Sequence, residues 1–166
     1  DGKRVGQILA IPVQVSGVTG RNVLRSTSVE RRLVNGVRGS LKNTDDEWAF
    51  WKKNDSIAVT IDVGVRKRLG KVTLGYLNHF GLRIHKPQKV EVWLSDNDVH
   101  YWKATEQTFG TDEIFAEGRF TEEMEFVFKD VARYVRVIMK GAGKCPEHHV
   151  RPGLETQIYL DEVLIE

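Results

Sequence analysis

Alternation of apolar and polar residues at every second position constrains the fold of this chain more than any other feature. Along Ile57–Val63 the larger apolar side chains fall on one side of an extended backbone, which is typical of a half-buried strand. Gly64 ends this first run. Similar runs occupy 72–76, 90–94, 101–103, 124–128, 134–139 and 158–165. The sequence therefore predicts a series of short β-strands.

About eight strands separated by turn signals predict an all-β protein, either a sandwich or a barrel. A sandwich accounts better for the long loops between the strands. Helical periodicity is weak, and Thr111–Phe115 is the only candidate for a helical turn. The spacing excludes the βαβ units of doubly wound enzymes. The glycines at 141–143 lie between two strands without a following helix, so they indicate a turn and not a phosphate-binding loop.

Length and composition limit the class of protein. A chain of 166 residues is long enough to build its own core, and we expect one domain over residues 1–166. Hydrophobic residues make up 40% and charged residues 29%, which is ordinary for a soluble globular protein. The formal charge of +2 argues only weakly for nucleic acid, and no apolar run approaches a membrane-spanning helix. A single cysteine, Cys145, excludes an internal disulfide.

The segments before Ile57 are less regular. The run Val5–Val18 alternates loosely around Pro12, which favours an edge strand. The segment 43–55 mixes polar and aromatic residues and is predicted to be a long surface loop. Within it, we expect Trp48 in the core and Trp51 exposed.

The loop Leu33–Ser40, called the hook below, is a candidate metal site. Asn35, Gly36 and Gly39 suit a tight turn, and the side chains of Asn35 and Ser40 supply oxygen atoms. Acidic residues interrupt the last apolar run, 160–166, where a buried carboxylate needs a partner. We therefore expect the hook and the last strand to meet around one structural Ca²⁺.

Several motifs, in this order and spacing, resemble the discoidin-like or coagulation-factor type C fold. This fold includes the galactose-binding-like family 32 carbohydrate-binding modules, so the resemblance implies a jelly-roll β-sandwich. The motifs are Leu33–Gly36 with Ser40, Val59–Gly64, Val90–Asp98, Ala132–Val137 and Asp161–Val163.

Three shorter motifs are similar to the accessory C-terminal domain of bacterial family 20 β-hexosaminidases. They read Asn-Gly-Val-Arg-Gly-Ser, Gly-Lys-Cys-Pro-x-x-His and Leu-Asp-Glu-Val, and this similarity covers about residues 30–166. Residues 1–29 carry no distinctive motif.

The resemblance implies that Asn35, Ser40 and Glu162 bind calcium together with backbone oxygens near Arg32 and Gly36. Asn35 replaces an acid of the family pattern, so the site loses a charge and we expect a lower calcium affinity. An alternative needs no ion: a hydrogen-bonded Asn-Gly turn with Glu162 paired to an arginine.

Three loops have the composition of a sugar site, in which an aromatic face packs on the ring and polar side chains bind its hydroxyls. The candidate ligand-binding residues are Asp45, Trp51, His79, Arg83, His85 and His149. Each has a structural alternative. The two histidines at 79 and 85 flank an apolar stretch that could simply cap one end of the fold, and Arg83 could pair with Glu47.

A zinc site formed by Cys145, His79 and the adjacent His148 and His149 is less favoured. Adjacent residues of a strand point to opposite faces, and a Cys-x-x-His pair without a second pair falls short of a structural zinc set.

No reaction is predicted. A glycosidase needs two carboxylates across the scissile bond, the acids here lie on turns and strand edges, and no Gly-x-Ser-x-Gly motif occurs. The resemblance implies a non-catalytic module that binds terminal galactose or N-acetylhexosamine. It also implies a secreted, periplasmic or cell-surface bacterial protein, with a parent glycoside hydrolase as partner. The alternative is a module of the same fold that packs on its parent catalytic domain or on another protein.

Overall fold

The computed structural model describes residues 14–19, 32–52 and 56–166, the first of these ranges by its backbone alone. Within them the chain is almost entirely β-structure. The strands are β1 (Gln14–Thr19), β2 (Ala49–Lys52), β3 (Ile57–His79), β4 (Lys89–Ser95), β5 (Trp102–Thr108), β6 (Arg119–Lys140) and β7 (Gln157–Ile165). A short helix, α1 (Thr111–Ile114), lies where the one helical turn was predicted, and a 3-10 turn at Phe80–Leu82 follows β3.

Two long strands fold the sheet onto itself. The strands pair in the order β2-β7-β3-β6-β4-β5, with β1 beside β3. The pairing of β3 with β6 is interrupted between Asp62 and Lys67 and again between Leu69 and Lys71. Before these interruptions β3 pairs with β1, and after them with β7. The result is the predicted all-β, jelly-roll sandwich.

The bend in β3 is built by residues from two of the sequence motifs. Gly64 has a φ of +92°, in the region that favours glycine, and its N–H donates to Asp62 Oδ1 at 2.8 Å. Arg133 donates to both oxygens of Asp62 at 2.9 and 2.8 Å and lowers the pKa of this carboxyl. The prediction that Gly64 ends a strand is wrong, because the chain turns here and continues as β3 to His79.

The apolar rows read from the sequence form the core. Along Ile57–Val63 the inward side chains are at most 1% exposed, as predicted. They belong to one large cluster that includes residues of β2, β4, β6 and β7. A second, smaller cluster consists of Trp48, Leu77, Ile84 and Tyr159, with Phe50 packed against it.

The segment 43–55 differs from the predicted loop, because Ala49–Lys52 forms β2 and pairs with β7. Alternation explains the difference: Ala49 and Trp51 point into the core at 1% and 0% exposure, while Lys52 is exposed. The expectation of an exposed Trp51 is therefore wrong, whereas Trp48 is buried as predicted. Residues 53–55 lie outside the described residues.

The predicted edge strand at Val5–Val18 is described only in its last part. There, β1 pairs with β3, with an irregularity between Val15 and Gly17. Residues 1–13 of this prediction lie outside the described residues. Within the described chain, no helix is both long and apolar enough for a membrane span.

Candidate functional site

The hook lies against the last strand, as the sequence predicted. The N–H of Gly36 donates to Glu162 Oε2 at 2.7 Å, and the N–H of Gly39 donates to Asp161 Oδ2 at 2.9 Å. Both carboxylates are 0% exposed. Charge-assisted hydrogen bonds from the backbone offset the cost of burying them.

A β-bulge allows two consecutive acids to reach the same loop. Along the β3–β7 pair, Gly75 is opposite Glu162 and Tyr76 is opposite Leu160, so Asp161 is the extra residue. Successive side chains of a regular strand point to opposite faces. The extra residue relaxes this rule, and both carboxylates contact the hook.

Arg38, in the middle of the hook, adds a positive charge to this contact. Its Nε lies 3.6 Å from Asp161 Oδ2, and its Nη1 lies 3.5 Å from Glu123 Oε1. Among the described residues, an arginine is therefore present at this contact, and the carboxylate that it pairs with is Asp161.

The predicted calcium ligands are engaged in other bonds. Asn35 Oδ1 accepts the N–H of Val37 at 2.8 Å, and Asn35 Nδ2 donates to Glu47 Oε2 at 2.6 Å. Ser40 is exposed, and its hydroxyl oxygen accepts the N–H of Lys42 at 3.2 Å.

N–H groups and a guanidinium thus face the two buried carboxylates, whereas calcium needs six to eight converging oxygens. Among the described residues, no group of three or more His, Cys, Asp and Glu side chains could hold a metal. Calcium binding by Asn35, Ser40 and Glu162 stays a prediction that needs a test.

Gly39 couples the hook to the end of the sandwich. A Cβ atom at this position would overlap the indole of Trp48. The Trp48 Nε1 also donates to the carbonyl of Ser40 at 3.0 Å. The hook therefore fixes the position of Trp48, which lines the cleft described next.

The cleft consists of two adjoining depressions of about 200 and 160 Å³. Both are lined by Asn43, Lys52 and Tyr159. The first is completed by 81–84, Arg151 and Gln157, and the second by Arg32, Thr44, Asp45, Trp48 and Phe50. The lining comes from β2, the beginning of β7, the turn after β3 and two loops.

Aromatic side chains of the second cluster form the floor of the cleft. Phe50 and Tyr159 are cross-strand partners, and their rings stack with centroids 4.8 Å apart at 15°. The Trp48 ring meets Tyr159 edge-on at 6.5 Å. Burial raises the pKa of the Tyr159 hydroxyl, and the nearby Asn43 opposes this shift. Tyr159 is therefore a neutral phenol at physiological pH.

Polar groups from three segments meet in the first depression. Arg83 has a φ of +62°, and its Nη1 donates to the carbonyl of Glu155 at 2.6 Å. Gln157 Nε2 donates to the carbonyl of Leu82 at 2.9 Å. Gln157 Oε1 is buried and accepts no hydrogen bond within the described part of the chain. Arg151 lies exposed at the rim.

Asp45 lies in the second depression, but its carboxylate organises a turn. Its oxygens accept the N–H groups of Ser40 and Glu47 at 2.9 and 3.0 Å. Burial alone would raise the pKa of this carboxyl, but these hydrogen bonds outweigh burial and lower the pKa. Asp45 thus shapes the cleft wall and stays charged.

His85 and His149 form a buried chain of hydrogen bonds beside the cleft. They are 1% and 3% exposed, and their Nε2 atoms lie 3.0 Å apart. His149 Nδ1 accepts the N–H of Arg151 at 2.9 Å, so His149 Nε2 carries the proton and donates it to His85 Nε2. His85 Nδ1 is then protonated and donates to Asn78 Oδ1 at 3.1 Å. In this arrangement both rings are neutral.

The surroundings of the two rings favour the neutral form. Burial lowers the pKa of His85 to about 4, with His149 contributing. Burial also lowers the pKa of His149, and the neighbouring His148 and Arg83 add to this shift. Phe80 and Phe115 cover the pair.

The structure divides the predicted ligand-binding residues into two groups. Asp45 and Arg83 line the cleft. Trp51, His85 and His149 are buried and have no surface to offer a ligand, which corrects their assignment. His79 is partly exposed but lines neither depression. Glu47 is bound by Asn35, so it is not the partner of Arg83.

Sequence reasoning missed most of the cleft, including Lys52, Arg151, Gln157 and Tyr159. The alternation of apolar residues predicted that the side chains of β7 lie in the core. The signal that could have identified the outward-facing residues of the β2–β7 pair lay in the sequence of β2. Once 49–52 is read as a strand with Trp51 inward, Phe50 and Lys52 must point outward, and their cross-strand partners Tyr159 and Gln157 lie beside them.

No protein-family model matches the sequence, and no curated protein matches it. Solved structures do resemble the chain. The C-terminal domain of a chitobiase from Bacteroides fragilis has a TM-score of 0.53 and 13% identity, covering 93% of this chain and 92% of that chain. A family 32 carbohydrate-binding module from Clostridium perfringens, solved with GalNAc-β-1,3-galactose, has a TM-score of 0.51 and 14% identity, covering 90% and 93%.

A third structure is the family 32 module of AlyQ in complex with 4,5-unsaturated mannuronic acid. Its TM-score is 0.54 at 15% identity, and 92% of this chain and 97% of that chain are covered. The resemblance inferred from the sequence motifs is thereby confirmed for the fold. This chain has the discoidin-like β-sandwich fold of the family 32 carbohydrate-binding modules.

Proposed function

We propose that this chain is a non-catalytic carbohydrate-binding module that holds one sugar residue in the cleft. The sequence resemblance adds a terminal galactose or N-acetylhexosamine as ligand, and it adds attachment to a secreted bacterial glycoside hydrolase. The related module from Clostridium perfringens, solved with GalNAc-β-1,3-galactose, supports a ligand of this kind.

The cleft is the observation that carries this proposal. It combines a stacked aromatic pair in its floor with the polar side chains of Lys52, Arg151 and Gln157 among its lining residues. Sugar sites need such groups, because one face of the ring is apolar and its edge carries hydroxyls. A shallow site for one residue implies millimolar affinity, about 4 kcal/mol of binding free energy.

The two buried acids do not support a glycosidase. Asp161 and Glu162 accept hydrogen bonds from the hook, and neither lines the cleft. The acid that does line it, Asp45, binds the N–H groups of a turn.

A glycan array with the whole chain tests the proposal. We expect binding to glycans with terminal galactose or N-acetylhexosamine, and loss of binding in Lys52→Ala. The matched control is Lys140→Ala, because Lys140 is also exposed and lines a separate depression of about 280 Å³ with Lys89 and Glu91. Binding that is lost in the control would place the site there, and no binding to any glycan would favour the module that packs on a protein.

A further inference from the structure

We infer that the cleft selects a sugar that carries a negatively charged group, either a uronate carboxylate or a sulfate ester. This inference rests on the proposed function and adds the charge of the ligand to it.

Positive side chains outnumber negative ones around the cleft. Arg32, Lys52, Arg83 and Arg151 line the two depressions, and Asp45 is the one acid among the lining residues. Both oxygens of that acid accept backbone N–H groups of a turn. Arg32 already lies 3.9 Å from Asp46, so the positive charge that a neutral sugar would leave uncompensated comes from the other basic residues.

Arg83 and Arg151 supply most of this excess. The hydrogen-bond acceptor of Arg83 is the carbonyl of Glu155, a neutral group that compensates no charge. Neither guanidinium forms an ion pair with a carboxylate of the described chain. Arg133 on the far side of the sandwich shows the contrast, because Asp62 binds it through both oxygens.

The shape of a guanidinium group favours a carboxylate or a sulfate as its partner. Its N–H groups form a planar fork that binds two oxygens of one anion, and such charge-assisted bonds are about twice as strong as neutral ones. Arg83 is also held in place, because its Nη1 bond to Glu155 fixes the side chain before a ligand arrives. Little side-chain entropy is then lost on binding.

Gln157 indicates that the ligand bears hydroxyl groups and is not a bare anion. Its Nε2 is committed to the carbonyl of Leu82, so its Oε1 can only accept. This Oε1 is buried, lies in a residue that lines the first depression, and accepts no hydrogen bond within the described residues. A buried acceptor without a donor is costly, and a sugar hydroxyl would satisfy it once the Gln157 side chain turns Oε1 towards the depression.

Isothermal titration calorimetry of the whole chain tests the inference with four probes: galactose, N-acetylgalactosamine, galacturonic acid and galactose 6-sulfate. We expect at least one acidic sugar to bind about tenfold more tightly than galactose at low salt. The difference should shrink at about 0.5 M NaCl, because exposed charges are screened. Comparison of galacturonic acid with the sulfate ester identifies the anionic group.

Surface variants assign the preference to the cleft without threatening the fold. Arg151→Gln removes an exposed charge but keeps the backbone N–H that His149 accepts. The ratio of the affinity for the acidic sugar to the affinity for galactose should therefore fall towards one. Lys140→Gln removes an exposed charge outside the cleft and should leave the preference intact. Sodium sulfate at the same ionic strength as NaCl should not displace galactose 6-sulfate.

The outcomes separate this inference from the proposed function. Equal affinity for galactose and the acidic sugars would overturn the inference and leave a neutral-sugar module. Binding of none of the four probes, with no glycan bound on the array, would overturn the proposed function itself. If sodium sulfate displaces galactose 6-sulfate and NaCl of the same ionic strength does not, the cleft binds inorganic anions without needing a sugar. That result would overturn the inference.

Discussion

The hook and the cleft are both rich in polar groups, and these groups have different partners. In the hook, the buried carboxylates of Asp161 and Glu162 accept N–H groups from Gly39 and Gly36. In the cleft, the buried Oε1 of Gln157 accepts no hydrogen bond from a described residue.

This contrast separates the part of the sandwich that stabilises the fold from the part that can bind a ligand. A polar group that is buried and bonded within the chain stabilises one conformation, whereas one left open costs free energy until a ligand arrives. On this reasoning the hook holds the fold and the cleft is the place for a ligand. The predictions below test that division.

Removal of a hook carboxylate should have the largest effect. Asp161→Ala leaves the N–H of Gly39 and the Arg38 guanidinium without this acceptor, and we expect a loss of about 3 kcal/mol in the free energy of unfolding. Urea denaturation measures it. Glu117→Ala, at an exposed acid, is the control and should change stability by less than about 0.5 kcal/mol. Equal effects would show that the hook does not hold the fold.

Acidification should weaken the packing around the buried histidine pair His85 and His149. His85 has a folded pKa of about 4, below the ordinary value of 6.5, so the unfolded chain binds its proton first as the pH falls. Stability is therefore constant above about pH 6.5 and declines towards pH 4, by about 3 kcal/mol from this residue. Urea denaturation at several pH values measures the decline.

The same histidine pair offers a comparison of neighbours. His149→Ala removes the acceptor of the Arg151 N–H and the donor to His85, and we expect a loss of about 2 kcal/mol. His148→Ala, one residue away and exposed, should be close to neutral. A larger loss of stability in His148→Ala than in His149→Ala, measured by thermal denaturation, would contradict the hydrogen-bond chain. A decline in stability at acidic pH that persists in His149→Ala would assign that decline to other groups.

The smallest effect should come from metal removal. Because N–H groups already bind one oxygen of each hook carboxylate and Arg38 lies beside Asp161, we expect the melting temperature to change by less than about 1 °C between EDTA and millimolar calcium. A clear rise with calcium, lost in Glu162→Gln, would support the predicted ion and would require the hook to rearrange around it.

The sequence predicted the scaffold well, because alternation at period two reports directly which side of a strand is buried. It also predicted that the hook meets the last strand, from a buried acid that needed a partner. It could not predict that Gly64 lies at a bend within a strand and not at its end. The ion pair that stabilises this bend, Asp62–Arg133, joins residues 71 positions apart in the sequence.

The cleft was harder to predict, because its residues depend on a short strand with a mixed composition. Trp51 and Lys52 are adjacent, yet one is buried and the other exposed, and only the register of β2 against β7 decides which. The histidines misled for a similar reason. His85 and His149 read as polar loop residues, but they satisfy each other inside the protein.

The most direct test of the division between hook and cleft is a two-dimensional ¹H–¹⁵N NMR titration of the whole chain with galacturonic acid. We expect shifts at Lys52, Arg83, Arg151 and the side-chain amide of Gln157, with the N–H signals of Gly36 and Gly39 unmoved. Saturable shifts that are confined to the hook, or that cluster around Lys89 and Lys140, would contradict it.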